Sequence, residues 1–205
     1  MAIYKPNLTI TMYNAKEFNL PELSGISKNT IAEHLGLYQG YVKNVNLIHD
    51  LINQANDHNT YALKEAHRRL GFEFGGMRNH EYYFGALEDG SSKLGPETNL
   101  FQKITDQFGS YADWLAMFKG LLATQRGVGW AMLGYDTHTD TLLNYWVDEQ
   151  HQGHLTGVQP LLALDMWEHA YCMDYAPSKK ADYVSAYLDN INWSVIENWY
   201  NDLVK

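Results

Sequence analysis

A carboxylate and an imidazole stand four residues apart in the stretch LLALDMWEHAYCMDY. The apolar run 161–164 is typical of a buried strand, and Asp165 follows it directly, with His169 shortly after. Burying a carboxylate alone is costly, so a compensating charge is expected beside Asp165. One anionic oxygen and one neutral imidazole suit a first-row metal such as iron, manganese or zinc. The pair alone leaves open the alternative of a helix cap beside a core histidine.

Two histidines elsewhere in the chain could complete such a site. His80 lies in GGMRNHEYYF, among aromatic side chains that would shape a dry pocket, and His34 lies in IAEHLGLYQGYV. Tyr41 follows His34 by seven residues, about two helical turns, so the two side chains can face the same side. Taken singly, each histidine is also compatible with an ordinary core residue.

Hydrophobic periodicity predicts the helices that must carry these histidines. Ser27 is a typical N-cap, and a helix is predicted at 28–55, followed by another at roughly 59–88. The ~20 residues at the start of the chain are expected to be extended or irregular. The middle of the second helix contains three glycines, Gly71, Gly75 and Gly76. They indicate either a break in that helix or a place of close packing.

The second half of the chain has a different pattern. The segments VGWAMLGYD, DTLLNYWVD and PLLALD predict three short strands, and their close spacing favours an antiparallel meander. The turn-rich segment 87–98 is the best boundary, which divides the chain into domains 1–90 and 91–205. The predicted fold class is therefore α+β. The further helices are predicted at 97–107, 110–124, 178–189 and 192–203.

Composition narrows the function classes. The 205-residue chain is 45% hydrophobic and 14% aromatic, which argues against disorder. Its net charge of −9, without a basic cluster, argues against nucleic acid as the main partner. Cys172 is the single cysteine, so no internal disulfide can form, and the N-terminal stretch has neither a signal peptide pattern nor a membrane anchor. We expect a cytoplasmic protein.

Together the motifs resemble those of the iron/manganese superoxide dismutase family. DMWEHAY is similar to that family's D-x-W-E-H-A-Y signature, and GGMRNHEYYF and SKNTIAEHLGLYQGYVKNVN resemble its ligand segments on the second and first helices. GVGWAML and NINWSVIENWY resemble its first strand and last helix. The resemblance runs in the right order over nearly the whole chain.

The resemblance implies a fold, a cofactor and a reaction. The fold would be an N-terminal helical hairpin domain plus a C-terminal α/β domain with a three-stranded antiparallel sheet. One iron or manganese ion per subunit would convert superoxide to oxygen and hydrogen peroxide by redox cycling. The expected assembly is a homodimer or homotetramer in which Glu168 reaches across to the partner's ligand histidine. Tyr41 would act as gate and proton relay, and Trp167 would wall the pocket. The implied metal ligands are His34, His80, Asp165 and His169.

The chain departs from the family at the glutamine that usually hydrogen-bonds the metal-bound solvent. One of its two usual positions, four residues before His80, holds Gly76 here. The other, counted back from Trp130, holds Arg126. A permanently charged guanidinium would shift the potential of the site strongly, so we do not expect it to point inward. The replacement candidates are His151, which is favoured narrowly, Gln150 and Gln125.

The entrance to the site differs as well. The chain has one residue fewer than the family usually has between His34 and Tyr41, although both can still share a helix face. Leu37 and Tyr38 stand where the family has a gateway histidine, and Cys172 replaces its tyrosine partner. We expect altered proton delivery or access, without loss of the metal.

Two rival functions remain compatible with these residues. Two histidines and one carboxylate also form the facial triad of non-haem iron oxygenases. The altered surroundings of the site are compatible with a catalytically impaired, dismutase-like metal-binding protein.

For a dismutase, a local cation should attract superoxide to this acidic chain. Lys180, near a position where the family often has arginine, is the candidate.

Overall fold

The computed structural model describes residues 12–57 and 59–204. Residues 12–23 form neither helix nor strand, in agreement with the prediction for the start of the chain. The expectation for residues 1–11 lies outside the described residues.

Two long helices form the N-terminal hairpin. Helix α1 spans Lys28–Gln54 and helix α2 spans Tyr61–Gly85, and the two pack against each other. Ser27 caps α1 as predicted, since its side chain accepts a hydrogen bond from the backbone N–H of Thr30. The alternative that the glycines break α2 was wrong, because the helix runs through them without interruption.

Close packing is the role of two of these glycines. A Cβ atom on Gly75 would collide with the backbone carbonyl of Gln150. A Cβ atom on Gly76 would lie 2.5 Å from the ring of Tyr41. Glycine at these positions therefore lets α1 and a loop of the second half approach α2.

The second half combines four helices with a small sheet. None of the described helices is long and apolar enough to cross a membrane. The elements are α3 at Asn99–Phe108, α4 at Tyr111–Thr124, β1 at Gly129–Asp136, β2 at Thr141–Asp148, β3 at Val158–Asp165, α5 at Lys180–Asn190 and α6 at Trp193–Leu203.

The sheet is antiparallel, but it is not the predicted meander. Strand β1 is central and pairs with both neighbours, giving the order β2-β1-β3. Seven of the eight residues of β1 are buried, which suits a central strand, and the chain must cross over it between β2 and β3. The register places Trp130 opposite Asp165. The end of β3 thereby brings Asp165 beside a buried indole.

Buried tyrosines connect α5 to this end of the sheet. The hydroxyl of Tyr183 donates to the backbone carbonyl of Asp165 at 2.8 Å. The hydroxyl of Tyr187 lies 3.0 Å from the carbonyl of Tyr83 on α2 and 3.4 Å from that of Ala163 on β3. These bonds satisfy buried backbone acceptors and fix the strand end against α2.

A carboxylate from the loop before α5 holds the start of α1. Asp174 Oδ2 accepts hydrogen bonds from the backbone N–H of Ser27 at 2.8 Å and from the hydroxyl of Thr30 at 2.7 Å. Partial burial opposes ionisation of Asp174, but these hydrogen bonds outweigh it and lower its pKa. Because Thr30 lies one turn before His34, this contact ties the two halves together close to a predicted ligand.

We predict that Asp174→Asn destabilises the protein by about 1 kcal/mol at neutral pH, since charge-assisted hydrogen bonds are lost. Because the pKa of Asp174 is lower in the folded state, its contribution to the free energy of unfolding is complete above the unfolded-state pKa, about 4. That contribution is lost as the pH falls through the folded-state pKa. Urea unfolding at pH 6 and pH 3 should therefore show a smaller difference between wild type and variant at the lower pH. Asp189→Asn, an exposed change on α5, is the control and should be neutral at both. A difference that grows on acidification would contradict this account.

Candidate metal centre

Four side chains from separate elements converge on one point. His34 comes from α1, His80 from α2, Asp165 from the end of β3, and His169 from the short 3-10 turn at Glu168–Ala170. Each offers one ligand atom, and these atoms all lie within 4.8 Å of one another. Asp165 Oδ2 is 3.1 Å from His34 Nε2, 3.8 Å from His80 Nε2 and 3.2 Å from His169 Nε2. The structure thus brings together all four residues that the sequence indicated.

The hydrogen bond of His80 determines which of its nitrogens carries the proton. His80 Nδ1 lies 2.6 Å from the carbonyl oxygen of Gly76, which can only accept, so Nδ1 is the protonated nitrogen. In the neutral ring Nε2 then presents a lone pair, and this buried atom has no hydrogen-bond partner. It faces the carboxylate of Asp165, so two electron-rich atoms point at each other. A cation between them would satisfy both, and the residues therefore fit a metal ion.

Burial sets the protonation states that a metal site needs. His34, His80 and Asp165 are completely buried, and the side chain of His169 is 22% exposed. Burial lowers the pKa of His80 to about 3, helped by the neighbouring His34, and burial also lowers the pKa of His34. Both imidazoles are therefore neutral and able to bind metal at pH 7. Burial also opposes protonation of His169, but the Asp165 carboxylate outweighs it and raises that pKa.

Asp165 stays ionised although it is buried. Burial alone would favour the neutral acid, but attraction to His169 and hydrogen bonds with His169 and His34 lower the pKa of Asp165 below its usual range. The other carboxylate oxygen, Oδ1, accepts a hydrogen bond from the backbone N–H of Trp167 at 2.8 Å. That bond orients the carboxylate and leaves Oδ2 directed at the three imidazoles.

Aromatic rings enclose the cluster. Trp130 meets the His80 ring edge to face at 5.0 Å, and Phe84 meets the His34 ring at 4.9 Å. Trp167 stacks on His169 at 5.6 Å, so it lies against the site where the sequence placed it. These rings exclude water and lower the local dielectric, which strengthens electrostatic interactions in the site.

Gln150 hydrogen-bonds both Tyr41, the predicted gate, and Trp130, one of the rings that enclose the cluster. Its Nε2 donates to the hydroxyl of Tyr41 at 3.0 Å, and its Oε1 accepts from the indole N–H of Trp130 at 2.9 Å. Gln150 is completely buried, and its backbone carbonyl accepts from the side chain of Asn79. The rings of Tyr41 and Trp130 both contact His80, at 5.2 Å and 5.0 Å. Gln150 therefore lies next to the cluster.

The other two candidates for this position have different surroundings. His151 packs its ring against Phe72 at 5.7 Å, and its Nδ1 is 4.0 Å from Glu149. Gln125 is buried beside β1, where its amide oxygen accepts from the indole N–H of Trp146 and the backbone N–H of Trp130. Of these three candidates, Gln150 is the one that hydrogen-bonds Tyr41, whose ring contacts His80, so the geometry favours Gln150 over His151.

Charged side chains mark the outer side of the site. Glu168, next to His169, is exposed. Lys180 is half-buried, and its Nζ lies 5.9 Å from the centre of the Tyr171 ring. Burial lowers the pKa of Lys180, although nearby Glu168 and Asp165 oppose that shift.

Comparison with known proteins agrees with the geometry. Residues 96–199 match the family model described as iron/manganese superoxide dismutases, C-terminal domain, over half of the chain. The chain belongs to the iron/manganese superoxide dismutase family. A relative named superoxide dismutase [Mn] from Mycolicibacterium fortuitum is 36% identical over 185 residues, covering 88% of this chain and 86% of the relative.

Other superoxide dismutase relatives show similar agreement. The protein of that name from Mycobacterium leprae is 35% identical over 88% of this chain and 86% of its own length. The one from Nocardia asteroides is 37% identical over 74% of this chain and 71% of its own length. Both are also named as manganese enzymes. The helical N-terminal region followed by an α/β half with a three-stranded antiparallel sheet is consistent with this dismutase family.

Within this dismutase fold, Gly76 should be essential for the position of Tyr41. Gly76→Ala places a methyl group 2.5 Å from the Tyr41 ring, so the ring must move and its bond to Gln150 should break. We expect a loss of about 1–3 kcal/mol, typical of overpacking. Gly120→Ala, in open space on α4, should instead stabilise by about 0.5–1 kcal/mol. Thermal unfolding of the two variants tests this, and equal effects would refute the packing argument.

Proposed function

We propose that this chain is a superoxide dismutase that converts superoxide to oxygen and hydrogen peroxide with one manganese or iron ion per subunit. His34, His80, Asp165 and His169 would hold the ion. The observation that carries the proposal is the partnerless lone pair of His80 Nε2, which faces the Asp165 carboxylate beside two further imidazole nitrogens. Manganese is the favoured ion because the relatives described above are named as manganese enzymes.

The ligand set suits this reaction electrostatically. A metal ion that alternates between a trivalent and a divalent state would take an electron from one superoxide and return it to a second. Three neutral imidazoles and one carboxylate offset only one of its positive charges, so the site would remain cationic and attract an anion. Lys180, a partly exposed cation, would add to that attraction.

Peroxide formation also requires protons, and we infer that Tyr41 delivers one. Its hydroxyl accepts a hydrogen bond from Gln150 Nε2, so its own proton stays available for donation. Burial raises the pKa of Tyr41 far above neutrality, which keeps it protonated at physiological pH. Gln150 would orient Tyr41 and supply an amide to solvent in the site, the role for which the sequence had favoured His151.

The rival functions are less well supported. A facial triad leaves coordination positions open, whereas here a third imidazole joins the cluster. A catalytically impaired scaffold would not need Tyr41 and Gln150 to be coupled beside His80. Assembly as a homodimer or homotetramer, with Glu168 reaching the partner, is a part of this proposal that rests on the family resemblance. The cytoplasmic location is a part that rests on the sequence pattern.

We expect His80→Ala to lose bound metal, because it removes the nitrogen whose lone pair has no other partner. The matched control is His67→Ala, an exposed histidine on the same helix, which should keep full metal content. Elemental analysis of manganese-loaded and iron-loaded samples gives the metal content, and a xanthine-oxidase-coupled assay gives superoxide removal. Stoichiometric metal in the His80 variant would contradict the assigned ligand set. Metal-replete wild type that leaves superoxide untouched would support the impaired scaffold.

Gln150→Ala should lower activity while metal is retained, since it removes the partner of Tyr41 without removing a ligand. We expect a fall in kcat of about tenfold or more, comparable with the loss of a positioned polar group around a metal site. His151→Ala, one residue along the same loop, is the control and should remain within about twofold of wild type. A larger effect of the His151 change than of the Gln150 change would return the role to His151.

A further inference from the structure

Tyr38 occupies a buried position directly beside one of the proposed ligands. It is 1% exposed, and its ring lies nearly parallel to that of His80, with an interplanar angle of 26° and a centroid distance of 6.3 Å. Phe18 and Phe84 meet the Tyr38 ring edge to face at 5.6 and 6.4 Å. Tyr38 therefore packs on the imidazole and is itself confined by aromatic neighbours.

The hydroxyl of Tyr38 is directed away from the cluster and is fully engaged. It donates to Glu81 Oε1 at 3.2 Å and accepts from the backbone N–H of Lys16 at 2.8 Å. Its proton is thus committed to Glu81, in contrast to the proton of Tyr41. Tyr38 cannot take over the relay role of a gateway histidine in this arrangement.

Glu81 is itself held firmly. Its carboxylate is 8% exposed, and Oε2 pairs with Arg78 at 2.6 Å and with the Lys16 ammonium at 3.3 Å. A buried carboxylate with two cationic partners and a phenol donor has little freedom to move. The Glu81 carboxylate therefore links α1, α2 and the segment before α1 on one side of His80.

We propose that Tyr38, clamped by Glu81 and by the backbone of Lys16, is a positioning residue that holds the His80 imidazole in its metal-binding orientation. This inference rests on the proposed function. The bond from His80 Nδ1 to the Gly76 carbonyl fixes one edge of the ring but still permits it to tilt about that contact. The parallel face of Tyr38 limits this tilt, so Nε2 keeps its direction toward Asp165.

The first experiment compares release of manganese into excess chelator. Tyr38→Leu removes the supporting ring face, and we expect release about 10- to 100-fold faster, the usual effect of losing a group that orients a ligand. Tyr38→Phe and Glu81→Gln keep the ring but weaken the hydrogen bonding that holds it. We expect manganese release about threefold faster in each, for the loss of one hydrogen bond. Tyr82→Phe is the matched control, since that ring packs on Trp199 instead of His80, and it should release metal at the wild-type rate.

The second experiment needs no metal. In metal-free protein, the ring resonances of His80 in histidine-selective NMR spectra should broaden or shift in Tyr38→Leu and stay unchanged in Tyr82→Phe. Metal release within twofold of the control, or faster release with unchanged His80 resonances, would overturn the proposal. If Tyr38→Leu does not fold, Tyr38→Phe and Glu81→Gln decide by the same two readouts. If wild type binds neither manganese nor iron, the proposed function fails, whereas the NMR comparison still decides whether Tyr38 orients His80.

Discussion

The arrangement of three imidazoles around one buried carboxylate oxygen is the constraint on which the other features depend. Asp165 Oδ2 lies within 4 Å of a nitrogen from each of three histidines, and at least one of these nitrogens presents a lone pair. Such a group of electron-rich atoms would not stay together in an unconstrained chain, because burying them without a cation is costly. The packing of α1, α2 and β3 must therefore hold them in place.

Hydrogen bonds and close packing hold the backbone of the elements that carry these residues. Tyr183 binds the carbonyl of Asp165, and Asp174 binds the start of α1 one turn before His34. The glycines at 75 and 76 act by the absence of a side chain, since they let a distant loop and a helix reach α2. Hydrogen bonds and the absence of side chains at these glycines thus both contribute to the site geometry.

The sequence predicted local features well and non-local ones poorly. The D-x-x-x-H pair, the two helical histidines and the helix limits follow from periodicity, capping and motif, all of which act within a few turns. The strand order and the position of Gln150 beside Tyr41 do not, because they depend on a chain crossing over β1. Counting back from Trp130 along the chain reached Arg126, with Gln125 one residue earlier, whereas the indole N–H of Trp130 finds its acceptor on the loop after β2. The need of this buried donor for an acceptor was the one available signal.

Two nearby tyrosines on α1 have different surroundings, which suit the different roles proposed for them. The helix remains regular, so Tyr41 stays over His80 and reaches Gln150, while Tyr38, almost one turn earlier, meets His80 from the side of Glu81. Burial raises the pKa of both, to about 12 for Tyr38, so both remain protonated. Their difference lies in hydrogen bonding: Tyr38 donates its proton to a fixed carboxylate, whereas Tyr41 accepts and keeps a proton to give. Under the proposed function, Tyr41 would deliver the proton, whereas Tyr38 would support the His80 imidazole.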